Sequence, residues 1–251
     1  MKRFRLPIGY FTGMAVVLLV VALVFLSRGS TQANDQDPIL KMPDFPPTPT
    51  VPAPPADALR PSGARLLGDS FTSEGTLSRW EFVDNAEVPA DKANWLVENG
   101  QLLQDRTGLD KAPNTEPTMA FTGDPQWADY TVSAKVYDEN NATFGLVARR
   151  QGNSFYRFRM SADAYPDTPK IVLEKVVDGV VTPLATSDGP GYTQHQWHTA
   201  TLTVRGSSIQ ATVDGKVVAE ATDATLASGQ AGLYTLAMGY IRFDDVTVAA
   251  P

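Results

Sequence analysis

Cysteine is absent from all 251 residues. Its absence excludes disulfides, thiolate nucleophiles, cysteine-bound zinc and a lipoprotein-type acylated cysteine, and leaves the redox compartment unreadable. Histidine is almost absent too. His195 and His198 stand in QHQWH, but positions three apart on a strand point to opposite faces, and no third ligand lies near in sequence, so both are read as structural. The sequence also lacks a nucleophile elbow, a phosphate loop and a dinucleotide motif. Missing as well is the Glu-x-Asp-x-x-Glu strand that would carry the paired carboxyls of a retaining glycosidase, about 5 Å apart, into one groove. The nearest acids, Asp138-Glu139 in DENNATFG, read as a turn, because Asn-Asn follows.

What is present is unevenly distributed. Hydrophobic content of 43% and charged content of 20% are ordinary for a globular chain. The net charge is −7, but the first 30 residues hold Lys2, Arg3, Arg5 and Arg28 with no acid, leaving −11 on the rest. That acidic remainder argues against nucleic acid as a partner. From Ile8 to Leu26 run 19 residues without a charge, enough at about 1.5 Å each to cross a hydrocarbon layer of roughly 30 Å. Residues 1–7 are therefore expected in the cytoplasm, with a single-pass signal-anchor helix over 8–27 and the rest exported, by the positive-inside bias. The alternative is a cleaved signal peptide ending at Thr31-Gln32-Ala33, which exports the domain equally. Residues 28–64 follow as a linker with nine prolines between Pro38 and Pro61. It is read as a polyproline II spacer of up to ~75 Å at about 3.1 Å per residue, rather than as a ligand for a partner's groove.

From Arg65 to Pro251 no window of a dozen residues keeps a helical period, and short alternating runs are separated by turn dipeptides. Asn99-Gly100, Asp178-Gly179 and Asp214-Gly215 predict type I′ hairpins. In DYTVSAKVY, Tyr130, Val132, Ala134 and Val136 alternate with outward residues; Ala200, Leu202 and Val204 do so in WHTATLTVRG, and Ile241, Phe243, Val246 and Val248 in GYIRFDDVTV. The phase slips at Asp244-Asp245, which predicts a β-bulge. Some twelve to fourteen strands in such a domain predict an all-β, two-sheet antiparallel sandwich of jelly-roll type.

The order of LLGDSF, SRWEF, NWLVENGQLLQ, QWADYTVSAKV, GLVARRQGNSFYRFRM, IVLEKVVDGVVTPLA, QWHTATLTVRGSSIQATVDGKVV, GQAGLY and FDDVTV resembles the concanavalin A-like, laminin-G-like superfamily. The likeness is nearest to bacterial modules of the DUF1080 and family 66 carbohydrate-binding groups and spans about Arg65 to Val248. It implies a structural calcium ion joining the two chain ends, with Asp69 and Asp244 or Asp245 at the matching positions. It also implies glycan binding on the outer side of one curved sheet, where flat aromatic faces stand beside hydrogen-bonding side chains. The residues that fit such a face are Arg149, Tyr156, Arg157, Arg159, Tyr165 (beside Asp163 and Asp167) and Trp127, while Trp80, Trp95 and Trp197 read as core or core edge. The expected function is a membrane-anchored, extracytoplasmic, non-catalytic binding module for glycans. The alternatives are a structural or accessory subunit of a membrane complex and a glycoside-active hydrolase of the DUF1080 type.

Overall fold

The computed structural model describes residues 51–55, 63–84, 93–106, 117–164, 168–236 and 240–251. The expected anchor over 8–27, most of the linker and Tyr165 lie outside them. Among the described residues no helix is long and apolar enough to cross a membrane.

The chain from Pro52 onward folds as strands β1 (Arg65–Asp69), β2 (Glu81–Asp84), β3 (Asn94–Glu98), β4 (Gln101–Arg106), β5 (Thr118–Thr122), β6 (Tyr130–Asp138), β7 (Thr143–Gln151), β8 (Ser154–Ser161), β9 (Ile171–Val177), β10 (Val180–Ser187), β11 (Trp197–Arg205), β12 (Ser208–Val213), β13 (Lys216–Thr222), β14 (Gln230–Leu236) and β15 (Ile241–Ala249). An eight-stranded sheet runs β13-β12-β11-β6-β15-β4-β3, with β1 also paired to β15, and a seven-stranded sheet runs β10-β9-β8-β7-β14-β5-β2. Their strand ladders are antiparallel, which makes the fold an all-β two-sheet sandwich.

The alternation read from sequence sets the core between the sheets. Tyr130, Val132, Ala134 and Val136 of β6, Ala200, Leu202 and Val204 of β11, and Ile241, Phe243, Val246 and Val248 of β15 meet Phe144, Leu146, Ala148, Tyr156, Phe158 and Leu173 of the facing sheet in one buried cluster. Each fully buried large side chain contributes roughly 1.5–3 kcal/mol through removal from water. The three hairpins form at the predicted dipeptides. Asn99, Asp178 and Asp214 take φ of 55°, 51° and 50°, and the glycines after them 74°, 82° and 74°, as a type I′ turn requires.

The bulge also falls where the phase slips. The β15–β6 register shifts between Asp244 and Thr247, with Asp245 at φ 46°. This bulge divides one edge of β15: residues 241–243 pair with β4, and residues 246–249 pair with β1.

Candidate functional site

The outer face of the seven-stranded sheet carries an apolar cluster apart from the core: Met119, Phe121, Val147, Phe155, Val176 and Tyr234. Strand register sorts the face into two cross-strand rows. The first reads Glu81, Phe121, Gly232, Val147, Arg157, Glu174 across β2, β5, β14, β7, β8 and β9. The second reads Met119, Tyr234, Gly145, Arg159, Val172 across β5, β14, β7, β8 and β9.

Two glycines shape the face. A Cβ on Gly232 would stand 2.5 Å from the Phe121 ring, and one on Gly145 would stand 3.0 Å from the Tyr234 ring and 2.3 Å from the Phe158 carbonyl oxygen. Each glycine therefore lets the aromatic ring opposite it lie against the backbone, the close approach that a strand-interior glycine permits. Arginines cover both rings. The Arg157 guanidinium lies 4.3 Å from the Tyr234 centroid and the Arg150 guanidinium 4.4 Å from that of Phe121. Both are within cation–π range.

Carboxylates hold these arginines in place. Glu174, whose side chain is 2% exposed, takes Arg157 Nη2 at 2.5 Å, Arg157 Nε at 2.6 Å and Arg159 Nε at 3.2 Å, all on Oε1. Glu81 takes Arg150 in a two-point fork at 2.6 and 2.9 Å. That hydrogen bonding holds the Glu81 carboxyl below its usual range, against a smaller opposing effect of burial. A cleft of about 260 Å³ lies on this face, lined among others by Phe121, Arg150, Asn153, Phe155, Arg157 and Val176. It combines an apolar floor with planar, pre-positioned donors, the composition expected of a small-ligand site.

Of the residues expected at a ligand face, the structure brings together Arg157 and Arg159. Tyr156 alternates with Arg157 and points into the core, its hydroxyl bonded to Asp223 at 2.6 Å. Burial and that carboxylate push the hydroxyl's pKa up to about 12. Arg149 is turned away by the β7 bulge, with φ 54° and 2% exposure. It donates to the carbonyls of Ala128, Gly206 and Leu226 and to Asp129. Trp127 packs edge-on to Tyr130 over Gly123, against the core. The grouping of Arg149 and Tyr156 with the other arginines is thus corrected, because one bulge and strand alternation turn both inward. Sequence reasoning passed over Phe121, Arg150, Glu174 and Tyr234. Their signal was two glycines inside otherwise apolar strands, Gly145 and Gly232.

The implied calcium ion does not fit the three aspartates. Asp69 pairs with Val246, a core residue, and its Oδ1 accepts the Phe71 amide while Oδ2 accepts Trp80 Nε1 and Arg79. Asp245 lies on the opposite face, ion-paired with Lys135 at 2.7 Å, and Asp244 accepts the Asp245 amide. Nitrogen donors take the oxygens that a hard cation would need.

A larger cavity, about 520 Å³, is lined among others by Tyr192, Gln196, His198, Asp214, Lys216 and Val217. His198 Nδ1 lies 2.7 Å from Asp214 Oδ2 and Nε2 2.8 Å from the Thr193 carbonyl oxygen. Both partners are acceptors, so the doubly protonated ring satisfies both contacts at once. Burial disfavours that charge, but the hydrogen bonds to Asp214 and Thr193 outweigh it and raise the pKa above 6.5. For Asp214, burial is likewise outweighed, by hydrogen bonds from His198 and the Thr199 amide, and its pKa falls below 3.8. The histidine's contribution to stability is present below its unfolded pKa and lost as pH rises through the raised folded value; the aspartate's is present above its unfolded pKa and lost as pH falls through the lowered one. Unfolding midpoints are therefore expected to fall as pH rises above about 6.5, and in His198→Gln that alkaline fall flattens. An unchanged slope in the variant refutes this assignment.

These features define a lectin-like β-sandwich. The chain belongs to the family described as galactocerebrosidase, C-terminal lectin domain, whose model matches residues 101–251. Among solved structures it is similar to the carbohydrate-binding module CBM66 from Bacillus subtilis, with 14% identity, a TM-score of 0.53, and 68% of this chain and 96% of that one covered. It is also similar to a Bacillus subtilis protein of unknown function with a galectin-like fold (11%, 0.52, 75% and 96%). A third relative is a GlcNAcα1-4Gal-releasing endo-β-galactosidase from Clostridium perfringens (12%, 0.50, 77% and 64%). At such identities these likenesses concern the fold. No curated protein matches the chain.

Proposed function

We propose that the protein is a membrane-anchored, extracytoplasmic glycan-binding module without catalytic activity, carried outward by residues 8–27 and the linker over 28–64. The observation that carries this reading is the pair of rows on the seven-stranded sheet. Tyr234 and Phe121 pack against glycines, Arg157 and Arg150 stand over them, and Arg159 and Glu174 extend the polar edge. Sugar rings present a rim of hydroxyls, which the fixed guanidinium edges and carboxylates of such a surface meet with hydrogen bonds. The CBM66 module and the family's lectin domain support it by fold.

The carboxylates of the first row are spaced too widely for a glycosidase pair. Glu81 and Glu174 lie five strands apart, about 24 Å at the usual inter-strand spacing, far beyond the pairing distance of either glycosidase class. Each is also bound by arginine. A glycan array probed with the full chain in detergent tests the reading: selective retention of one glycan class is expected. No binding to any glycan, together with stoichiometric co-purification in a membrane complex, would replace it with the accessory-subunit reading.

A further inference from the structure

The outer face of the eight-stranded sheet holds a contact that the glycan reading leaves unused. Pro52–Pro55 of the linker lies against it. Trp197 Nε1 donates to the Pro52 carbonyl oxygen at 2.7 Å, and Lys135 Nζ donates to that of Pro55. Trp197, read from the sequence as core or core edge, instead shares this outer face with Tyr137, its cross-strand partner, with ring centroids 5.4 Å apart. Lys135 is cross-strand from Thr199, two positions along β11 from Trp197.

The spacing matches a particular backbone. Polyproline II has three residues per turn and rises about 3.1 Å per residue, so the carbonyls of Pro52 and Pro55 repeat on one side about 9 Å apart. Diagonal neighbours on adjacent strands stand about 7–8 Å apart at Cα, and Trp197 and Lys135 are such neighbours with long side chains. A proline-rich strand has no amide hydrogens to offer at its prolines, so its recognition rests on carbonyl acceptors and ring packing. This face supplies both, as an indole N–H, an ammonium and an aromatic pair. Lys135 is fixed by its ion pair with Asp245 at 2.7 Å, and Lys135 and Tyr137 are buried. The bulge that breaks the β15 pattern thus places a carboxylate where it orients the lysine.

We propose that the outer face of β6 and β11 is a polyproline-binding site whose occupant is the chain's own linker segment Pro52–Pro55, clasped in cis. The linker then carries one turn, Pro52–Pro55, held to the domain by Trp197 and Lys135. Any proline-rich segment of the same carbonyl spacing competes for the site.

Because the chain has no cysteine, introduced thiols are unique labelling points. Ala53→Cys and Ser207→Cys, both at exposed positions, carry nitroxides in the full chain, and their distance distribution is measured by dipolar spectroscopy. A narrow distribution is expected. It should lose its sharp peak in the presence of excess free peptide Pro-Pro-Thr-Pro-Thr-Val-Pro-Ala-Pro-Pro, and in Trp197→Phe, which keeps an aromatic ring but removes the N–H. A broad distribution in the starting protein overturns the proposal. So does a narrow one that neither the peptide nor the variant changes. The peptide arm leaves Trp197 intact, so a folding defect in Trp197→Phe does not blunt the test. Mixing chains labelled singly at each position should give no coupling; coupling there would mean exchange between copies and would overturn the clasp in cis.

Discussion

Replacing Arg149 with methionine is expected to lower the free energy of unfolding by about 3–5 kcal/mol, read from urea denaturation. The side chain is buried, and its guanidinium joins three separate connections: the Ala128 carbonyl before β6, Gly206 in the β11–β12 turn, and Leu226 between β13 and β14. Its own amide is accepted by the Tyr130 hydroxyl at 2.6 Å, and the Gly229 backbone packs so tightly against it that a Cβ there would lie 2.3 Å from the Arg149 carbonyl carbon. Methionine fills much of the volume but removes charge-assisted hydrogen bonds to three part-buried carbonyls, each contributing about 1.5 kcal/mol. The ion pair with Asp129 adds little, because that carboxylate is 44% exposed. Lysine should not rescue, since one ammonium cannot span the fork-shaped set of acceptors. A loss below about 1 kcal/mol, near the range of an ordinary surface change, would refute this role for Arg149.

The second large effect concerns ligand binding. Arg157→Ala is expected to weaken binding of a glycan found on the array by about 30-fold or more, the scale of a 2 kcal/mol hot spot, by titration of the full chain. The side chain stands over Tyr234 and is fixed by Glu174, so its removal takes away both a planar donor and the cover of the ring. It also leaves a buried carboxylate with only the longer contact to Arg159, which by itself would destabilise the sheet. The double variant Arg157→Met, Glu174→Met separates these effects, because replacing both partners of a buried pair with apolar groups is often neutral to stability. It should stay folded and still fail to bind. Arg205→Ala, an exposed change on the other sheet, should bind as the starting protein does. Unchanged affinity in both Arg157 variants would move the site off this face.

The hairpins, core faces and bulge were legible in sequence because each rests on a local rule: two residues that tolerate positive φ, a period of two, and a break in that period. The binding face was harder to read. Arg149 and Arg157 look equivalent in GLVARRQGNSFYRFRM, yet the register shift between Ala148 and Gln151 turns one inward while the other stays on the sheet. Glu174 and Tyr234 are 60 residues apart in number and meet Arg157 through pairings that cross the sheet, which no local pattern encodes. Trp197 was assigned to the core edge by its place at a strand start, but Ala200, Leu202 and Val204 set the inward phase of β11, and Trp197 falls on the other side. The aspartates matched to calcium by resemblance show the same limit: Asp69 faces the core side and Asp245 the outer side, because closeness across a ladder does not put side chains on the same face.

The pairing of β1 with the end of β15, closed by the Ala250 amide on the Ala64 carbonyl at 2.9 Å, brings the domain's first and last residues side by side. A unit with neighbouring ends can be spliced into a host loop, or rewired by joining those ends and opening a hairpin elsewhere, without stretching the chain. The sandwich is thus built as a cassette, and the tethered setting proposed for it is one of several that this geometry allows.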